Sequence, residues 1–251
     1  MNLTAHPSLL LPDWPAPARV RAAVTLRTGG CSSGPYSSLN LGDHVGDAPA
    51  AVARNRQQLA QWLQLPETRI QWLKQVHGIQ VVEADPERGV QEADAVTTQQ
   101  ANMGCAVMTA DCLPVFFCDR QGSRVAVAHA GWRGLCAGVL EATVATFPNP
   151  DEVIAWLGPA IGPDHFEVGA DVIQAFVERT PDNAACFVAS QTHSDRWLAD
   201  LYQLARLALQ RQGVSEISGG GFCTFSDSAR FFSYRRAGQT GRMASLIWLA
   251  A

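Results

Sequence analysis

The sequence predicts an α+β fold, a mixed sandwich of strands and helices within one domain of residues 1–251. Strand-like apolar runs outnumber amphipathic helical segments, and the two do not alternate strictly, which argues against a doubly wound parallel sheet. A composition of 47% hydrophobic and 17% charged residues is that of a globular protein with a real core. No internal repeat, low-complexity tract or clear linker divides the chain, so we expect a single domain.

The first elements are a strand, a long loop and a helix. Val20–Leu26 has the apolar content of a strand. It leads into Arg27–Asp47, which is rich in glycine and serine, and a loop of this length inside a compact domain is usually functional. Asp47 is predicted to cap a helix with Pro49 in its first turn, and Pro66 closes that segment.

Apolar runs of strand length and three helical patterns follow along the chain. Strands are predicted at Ile70–His77, Ile79–Ala84, Cys105–Thr109, Leu113–Cys118, Val125–His129, Val153–Leu157, Ala185–Ala189, near Ile217, at Phe231–Tyr234 and at Met243–Leu249. Helices are predicted from Gly131 to Phe147, over Asp171–Thr180 and from Asp200 to Gln212. Asp200 is the expected N-cap of the last helix, and Gly213 ends it.

Composition limits the partners and the compartment. The net charge is −4, and no run of Lys and Arg would track a nucleic-acid backbone, so we expect no nucleic-acid partner. No apolar stretch approaches the roughly 20 residues of a membrane span, and the N-terminus is a poor signal peptide. The seven cysteines are an odd number and lie mostly in apolar runs, which predicts free thiols and a cytoplasmic location. The sequence does not identify any protein partner.

Three candidate metal ligands lie at the ends of predicted strands, where turns begin: His77 in KQVHG, Cys112 in TADCLPV and His129 in AHAGWRG. Two imidazoles and a thiolate suit zinc, and three protein ligands leave its fourth position open to activate water. The spacing is not that of a compact zinc finger, and the chain contains no Walker loop, HExxH or GxSxG motif. On pattern alone, the signal for a metal site is weak, and a core cysteine with two hydrogen-bonded histidines is the favoured interpretation.

Several polar residues are candidates for catalysis or substrate binding. Asp111, beside Cys112, could orient a ligand or move a proton. Trp132 could stack on a base or lie buried, and His44 could line a site or stay on the surface. Arginine forks and helix N-termini suit phosphate. The remaining candidates are Arg27 at the mouth of the Gly-rich loop, Asn40 within it, Arg133 at a helix start and Arg242 near the end of the chain.

Several blocks run in order from about residue 26 to 244, among them RTGGCSSGPYSSLNLGDHVGD, QVHG, TADCLPV, HAGWRG, LGPAIGPDHFEVG, CTFSD, FFSYRR and TGRMA. In these blocks the sequence resembles the YfiH-type family, also called the laccase-domain or multicopper polyphenol oxidase family. Cys31 is a modest departure, since a valine is expected there.

The resemblance implies a YfiH-type sandwich and a zinc site formed by His77, Cys112 and His129, with Arg27 at the site. It also implies purine nucleoside substrates: phosphorolysis of adenosine, inosine and methylthioadenosine with phosphate, and deamination of adenosine.

Three alternative functions stay open. A four-copper laccase needs many histidines, largely in HxH pairs, whereas this chain has six histidines and no such pair, but one copper ion in the same ligand set could oxidise phenols. A Cys–His amidase acting on cell-wall precursors would use Cys112 as nucleophile and His129 as base. A metal-binding protein without catalysis is the third alternative.

Overall fold

Two β-sheets pack face to face, and helices cover both outer faces, so the predicted α+β sandwich is confirmed. The computed structural model describes residues 6–251. Within them the strands are β1 (Leu9–Leu10), β2 (Val20–Thr25), β3 (Ile70–Gln71), β4 (Leu73–Lys74), β5 (Val81–Glu83), β6 (Gln91–Glu92), β7 (Ala95–Thr98), β8 (Gly104–Thr109), β9 (Leu113–Asp119), β10 (Val125–Ala130), β11 (Val153–Leu157), β12 (Glu167–Val168), β13 (Phe187–Ala189), β14 (Trp197–Ala199), β15 (Glu216–Gly219) and β16 (Met243–Leu249). The α-helices are α1 (Pro49–Leu63), α2 (Trp132–Ala137), α3 (Val139–Val144), α4 (Ala170–Arg179), α5 (Leu201–Arg211) and α6 (Tyr234–Ala237).

The central core lies between the two large sheets. One sheet has the strand order β1-β2-β16-β8-β3, and the other has the order β15-β11-β9-β10-β7-β5. Val24, Val107 and Ile247 of the first sheet share a buried cluster with Phe116 and Val127 of the second. These strands read as continuous apolar runs because the sandwich core and the helices bury both of their faces.

Each outer face carries its own helical layer. Helix α1 buries Leu59 against Leu246 on the outside of the five-stranded sheet. On the outside of the six-stranded sheet, Leu140 of α3 and Leu204 of α5 share a cluster with Phe117. Helix α2 begins three residues after His129, directly beyond the end of β10.

Two predicted helix starts can be compared with the structure. Pro49 is the first residue of α1, as predicted, but the N-cap is Ala48, and Asp47 turns its carboxylate to the Ala48 N–H. Asp200 caps α5 as predicted, because its Oδ1 accepts the Gln203 N–H at 2.9 Å.

Three predicted elements are wrong. Ile70–His77 is not one strand but the short strands β3 and β4 followed by a turn, and His77 itself has a left-handed φ of 60°. The predicted helix from Gly131 to Phe147 breaks at Gly138, whose φ of 111° is compatible with neither flanking helix. Phe231–Tyr234 is apolar because its two phenylalanines are buried, but it forms a loop that leads into α6.

The strands β1, β6, β7, β12 and β14 were not predicted, because each has four residues or fewer and little apolar contrast with its surroundings. All seven cysteines are unpaired, as expected. Across residues 6–251, every helix is too short or too polar to traverse a lipid bilayer.

Candidate metal centre

Strand register brings Cys112 and His129 together. Residues 110–112 connect β8 of one sheet to β9 of the other, so Cys112 stands at the end of the sandwich. Strands β9 and β10 are antiparallel, with Leu113 opposite Ala130. His129 therefore lies one residue from the strand end that faces Cys112, and His77 reaches them from the turn between β4 and β5.

The structure brings the three predicted ligands into one cluster. One ligand atom from each of His77, Cys112 and His129 lies within 4.8 Å of the other two. The histidine ring centroids are 4.7 Å apart, with the rings at 66°. Two ligands of one tetrahedral zinc ion are about 3.5 Å apart, so small side-chain shifts would suffice. His129 is buried, Cys112 is half-buried and His77 is exposed, which leaves one side of the cluster open.

Gly131 makes room for this cluster. A Cβ at this position would lie 2.5 Å from His77 Nδ1, closer than real Cβ atoms approach, and in a tight contact of 3.1 Å with Cys112 Sγ. The absence of a side chain at the start of α2 therefore permits the two ligands to meet. A donor set of two imidazoles and one thiolate, held around a space that a methyl group would fill, fits zinc.

Asp94 holds both histidines and was not predicted. It is fully buried immediately before β7, and its Oδ1 accepts the His129 Nδ1–H at 2.8 Å. The same oxygen accepts the His77 N–H at 2.9 Å, and Oδ2 accepts the N–H groups of Gly78 at 2.6 Å and Val76 at 3.2 Å. The carboxylate thus fixes the tautomer of His129, leaving Nε2 for the cluster, and stabilises the left-handed turn at His77.

The charges around the cluster favour a cation. Burial lowers the pKa of His129, but the Cys112 charge and the hydrogen bonds to Asp94 and Cys112 outweigh it and raise that pKa to about 9. Burial raises the pKa of Asp94, but the His129 hydrogen bond and the backbone donors outweigh it and hold that pKa below its usual value. Burial and the neighbouring His129 lower the pKa of His77. A site that retains a proton this strongly would also attract a metal ion.

The pH dependence of metal binding follows from His129. To bind at His129, a metal ion must displace the proton of that imidazole, whose pKa in the metal-free protein is about 9. The apparent zinc affinity is expected to rise with pH up to about 9, by up to about tenfold per unit, with proton release on binding. Because the folded pKa exceeds the ordinary 6.5, metal-free protein should also lose stability as pH rises towards 9. Chelator competition from pH 6.5 to 9.5 measures the first effect, and a flat profile would contradict it.

The cluster opens into a cavity of about 530 Å³. Trp132 and Arg133 of α2 line it, and the Arg133 guanidinium lies 4.5 Å from the Trp132 ring centroid. Tyr234 of α6 and Arg242 line it too, with 5.8 Å between that guanidinium and the Tyr234 ring centroid. His44, half of whose side chain is exposed, also reaches this cavity from the Gly-rich loop.

Asn40 supports the cavity from behind. It is fully buried, and its Oδ1 accepts the N–H groups of Gly42 and Arg242, both at 2.9 Å. Its Nδ2 donates to the Gly42 carbonyl and to Asp47 Oδ2. The amide holds the Gly-rich loop and the Arg242 backbone, and Asn40 is not among the residues that line the cavity, so its substrate-binding role stays a prediction.

Arg27 and Asp111 also make structural contacts. The Arg27 guanidinium donates to the carbonyls of Ser37 and Ser228, and Arg27 is not among the residues that line the metal cavity, so its catalytic role stays a prediction. Asp111 lies beside the cluster in sequence, but its Oδ1 accepts the Thr224 hydroxyl and its Oδ2 accepts the Arg235 N–H, both at 2.6 Å. Its carboxylate thus anchors the start of α6, and proton transfer by Asp111 stays a prediction.

Cys223 lies apart from the cluster, in the wall of a second cavity that it shares with His165. Its Sγ accepts the Gly162 N–H at 3.2 Å. Burial opposes ionisation of this thiol, but hydrogen bonds from Ser226 and neighbouring N–H groups lower its pKa. Neither residue lines the cavity of the metal cluster.

Comparison with known proteins gives consistent matches over nearly the whole chain. A family model described as multi-copper polyphenol oxidoreductase laccase matches residues 21–250. A purine nucleoside phosphorylase of Pseudomonas aeruginosa is 58% identical over 96% of this chain and 98% of its own length. The purine nucleoside phosphorylase YfiH of Escherichia coli is 52% identical over the same shares. A crystal structure of a Neisseria meningitidis protein superposes with a TM-score of 0.93 at 52% identity, covering 97% of this chain and 100% of that one.

Proposed function

The chain belongs to the multi-copper polyphenol oxidoreductase laccase family, with YfiH among its relatives, and on this basis we propose that it is a zinc-dependent purine nucleoside phosphorylase. The predicted YfiH-type fold is thereby confirmed. One observation carries the proposal: the cluster of His77, Cys112 and His129 opens onto a cavity lined by the two arginines Arg133 and Arg242. A ligand set for a Lewis acid thus lies beside side chains that bind oxyanions.

Phosphorolysis makes two demands on the protein. A phosphate oxygen forms a bond to C1′ of the ribose while the C1′–N9 bond breaks, and the departing purine takes the electron pair and then a proton. Phosphate needs cationic donors near C1′, and Arg133 and Arg242 supply them. Arg242 uses Nη1 to hold the carbonyls of Thr240 and Gly241, which leaves its other guanidinium nitrogens for an anion. Arg133 is exposed on α2 and extends over Trp132.

Zinc held by His77, Cys112 and His129 would polarise substrate or water at its open position. Asp94 orients His129 for that role, and Gly131 keeps the space between His77 and Cys112 free. The same centre is proposed to serve adenosine deamination, with adenosine, inosine and methylthioadenosine as the nucleosides that undergo phosphorolysis. The cellular location proposed is the cytoplasm.

The residues do not fit a multi-copper oxidase. Among residues 6–251, only one group of three or more His, Cys, Asp or Glu side chains could hold a metal ion. A four-copper enzyme needs several such groups, and the chain has six histidines in all. Single-copper occupancy of the same cluster is compatible with its ligands, since imidazole and thiolate also bind copper.

One observation favours a second candidate function. The ligand atoms of Cys112 and His129 lie within 4.8 Å of each other, and Nδ1 of His129 is in turn held by Asp94. This is the nucleophile–base–carboxylate order of a Cys–His hydrolase, such as an amidase acting on cell-wall precursors. Zinc and catalysis by the thiolate exclude each other, because a metal-bound sulfur is not free to attack a carbonyl.

The deciding experiment combines metal analysis with product analysis. Purified protein is incubated with inosine or adenosine, with and without phosphate, before and after removal of metal. The proposal expects stoichiometric zinc, and free purine with ribose 1-phosphate only when both metal and phosphate are present. Metal-loaded protein that converts no nucleoside would overturn it. Amide hydrolysis by metal-free protein, abolished by alkylation of Cys112, would support the hydrolase instead.

A further inference from the structure

Tyr234 stands out among the side chains of the metal cavity. It is 60% exposed, and it is the one aromatic residue among the large hydrophobic side chains that residues 6–251 leave exposed. It also lines the cavity that contains the cluster of His77, Cys112 and His129. An exposed aromatic ring at a cavity wall retains a face on which a flat ligand can stack.

The backbone beneath this exposed ring is firmly held. Tyr234 begins α6, whose N-cap Ser233 accepts the Arg236 N–H through its hydroxyl at 3.2 Å. The backbone N–H of Arg235, the residue after Tyr234, donates to Asp111 Oδ2 at 2.6 Å. Asp111 directly precedes Cys112 in the chain. The position of Tyr234 is therefore coupled through two hydrogen-bonded residues to the metal cluster, so its ring is exposed without being on a loose segment.

The cavity's other aromatic residue is less available. The Trp132 ring already carries the Arg133 guanidinium at 4.5 Å, and it packs against the buried cluster beneath the helices. Arg242 lies 5.8 Å from the Tyr234 ring centroid, near the limit of a cation–π contact. A base could stack on Tyr234 without displacing an arginine from direct contact, whereas stacking on Trp132 would require Arg133 to leave.

We propose that Tyr234 is the platform on which the purine base of the nucleoside stacks, with the Arg242 guanidinium 5.8 Å from its ring centroid and available to the anionic co-substrate. This inference rests on the proposed phosphorylase function and extends it to the recognition of the base. Stacking uses the π-face, which 6-amino and 6-oxo purines share, so one platform accepts adenosine and inosine alike.

The test compares Tyr234→Leu with Tyr234→Phe. Loss of one stacked base is expected to raise the KM for adenosine and for inosine by about 10- to 100-fold in the leucine variant. The KM for phosphate and the zinc content should stay unchanged, because neither depends on the ring. The phenylalanine variant should keep both nucleoside KM values within about twofold of wild type, since the ring is retained. Calorimetric titration with inosine in the absence of phosphate gives the same comparison as a binding constant.

The outcomes separate this inference from the function on which it rests. Wild-type protein that neither binds nor cleaves nucleosides overturns the proposed phosphorylase and the base platform together. Wild-type turnover with an unchanged nucleoside KM in Tyr234→Leu overturns the platform alone. A fall in zinc content in the same variant, or an equal rise in the phosphate KM, would identify Tyr234 as structural support for α6 and the cluster, which also overturns the inference.

Discussion

Replacing Cys112 by serine is expected to remove both zinc and nucleoside turnover. One thiolate of a four-ligand zinc site contributes about 3–4 kcal/mol, a quarter of the total binding free energy, which is about 10²–10³ in affinity. The serine hydroxyl is nearly isosteric but stays protonated at neutral pH, so the negative charge that now faces His129 disappears as well. Metal content after dialysis and phosphate-dependent release of purine should fall together. Turnover should be reduced at least about 100-fold.

Cys31→Ser is the matched control for this substitution. Cys31 is an exposed thiol in the Gly-rich loop, and it bonds only weakly to the Ala51 carbonyl, at 3.6 Å. The same chemical change at that position should leave zinc content and turnover near wild type. Stoichiometric zinc in Cys112→Ser would show that the thiolate is not a ligand, and loss of zinc in Cys31→Ser would show that the assay reports on general damage.

The sequence is informative about the cluster because its members stand at ends of strongly apolar strands. Cys112 precedes β9 and His129 lies near the end of β10, and both strands are recognisable from uninterrupted apolar runs. Two such ends meet whenever antiparallel neighbours are in register, as Leu113 and Ala130 are here. The ligand hypothesis could therefore be formed without knowledge of the tertiary structure, although the resemblance to a family was needed to choose it over a plain core cysteine.

Residues that act through short elements were beyond sequence reasoning. Asp94 precedes β7, a four-residue strand with no distinctive periodicity, so nothing in the pattern placed this carboxylate against His129. Tyr234 lies in an apolar run that resembles a strand, yet the ring is exposed because the run ends in α6. Arg27 is the opposite case: an arginine beside a glycine-rich loop is typical of anion sites, and the pattern did not show that backbone carbonyls accept its donors.

Asp94→Asn is expected to weaken metal binding by about 10- to 100-fold, the usual cost of losing a carboxylate behind a histidine ligand. The present carboxylate accepts four N–H donors, two on each oxygen. An asparagine has one acceptor oxygen, so its NH₂ group must face either the His77 and His129 donors or those of Val76 and Gly78. The first arrangement releases the His129 ring, and the second releases the left-handed turn that carries His77. The absorption spectrum of the cobalt-substituted protein should change accordingly, since it reports ligand geometry independently of turnover.

Asp119→Asn separates this effect from ordinary destabilisation. Asp119 is another buried carboxylate that accepts hydrogen bonds from a turn, at Ser123, but it stands at the opposite end of β9 from Cys112. Asp94→Asn should lose about 1–3 kcal/mol of stability, because it leaves a buried donor without its acceptor, and Asp119→Asn should lose less, because its partner Ser123 is exposed and its hydroxyl can accept from the new amide. Only Asp94→Asn should also change zinc affinity and the cobalt spectrum. If both variants lost stability alike while zinc affinity and the spectrum stayed at wild-type values, Asp94 would be a structural residue of the turn and would not orient the metal ligands.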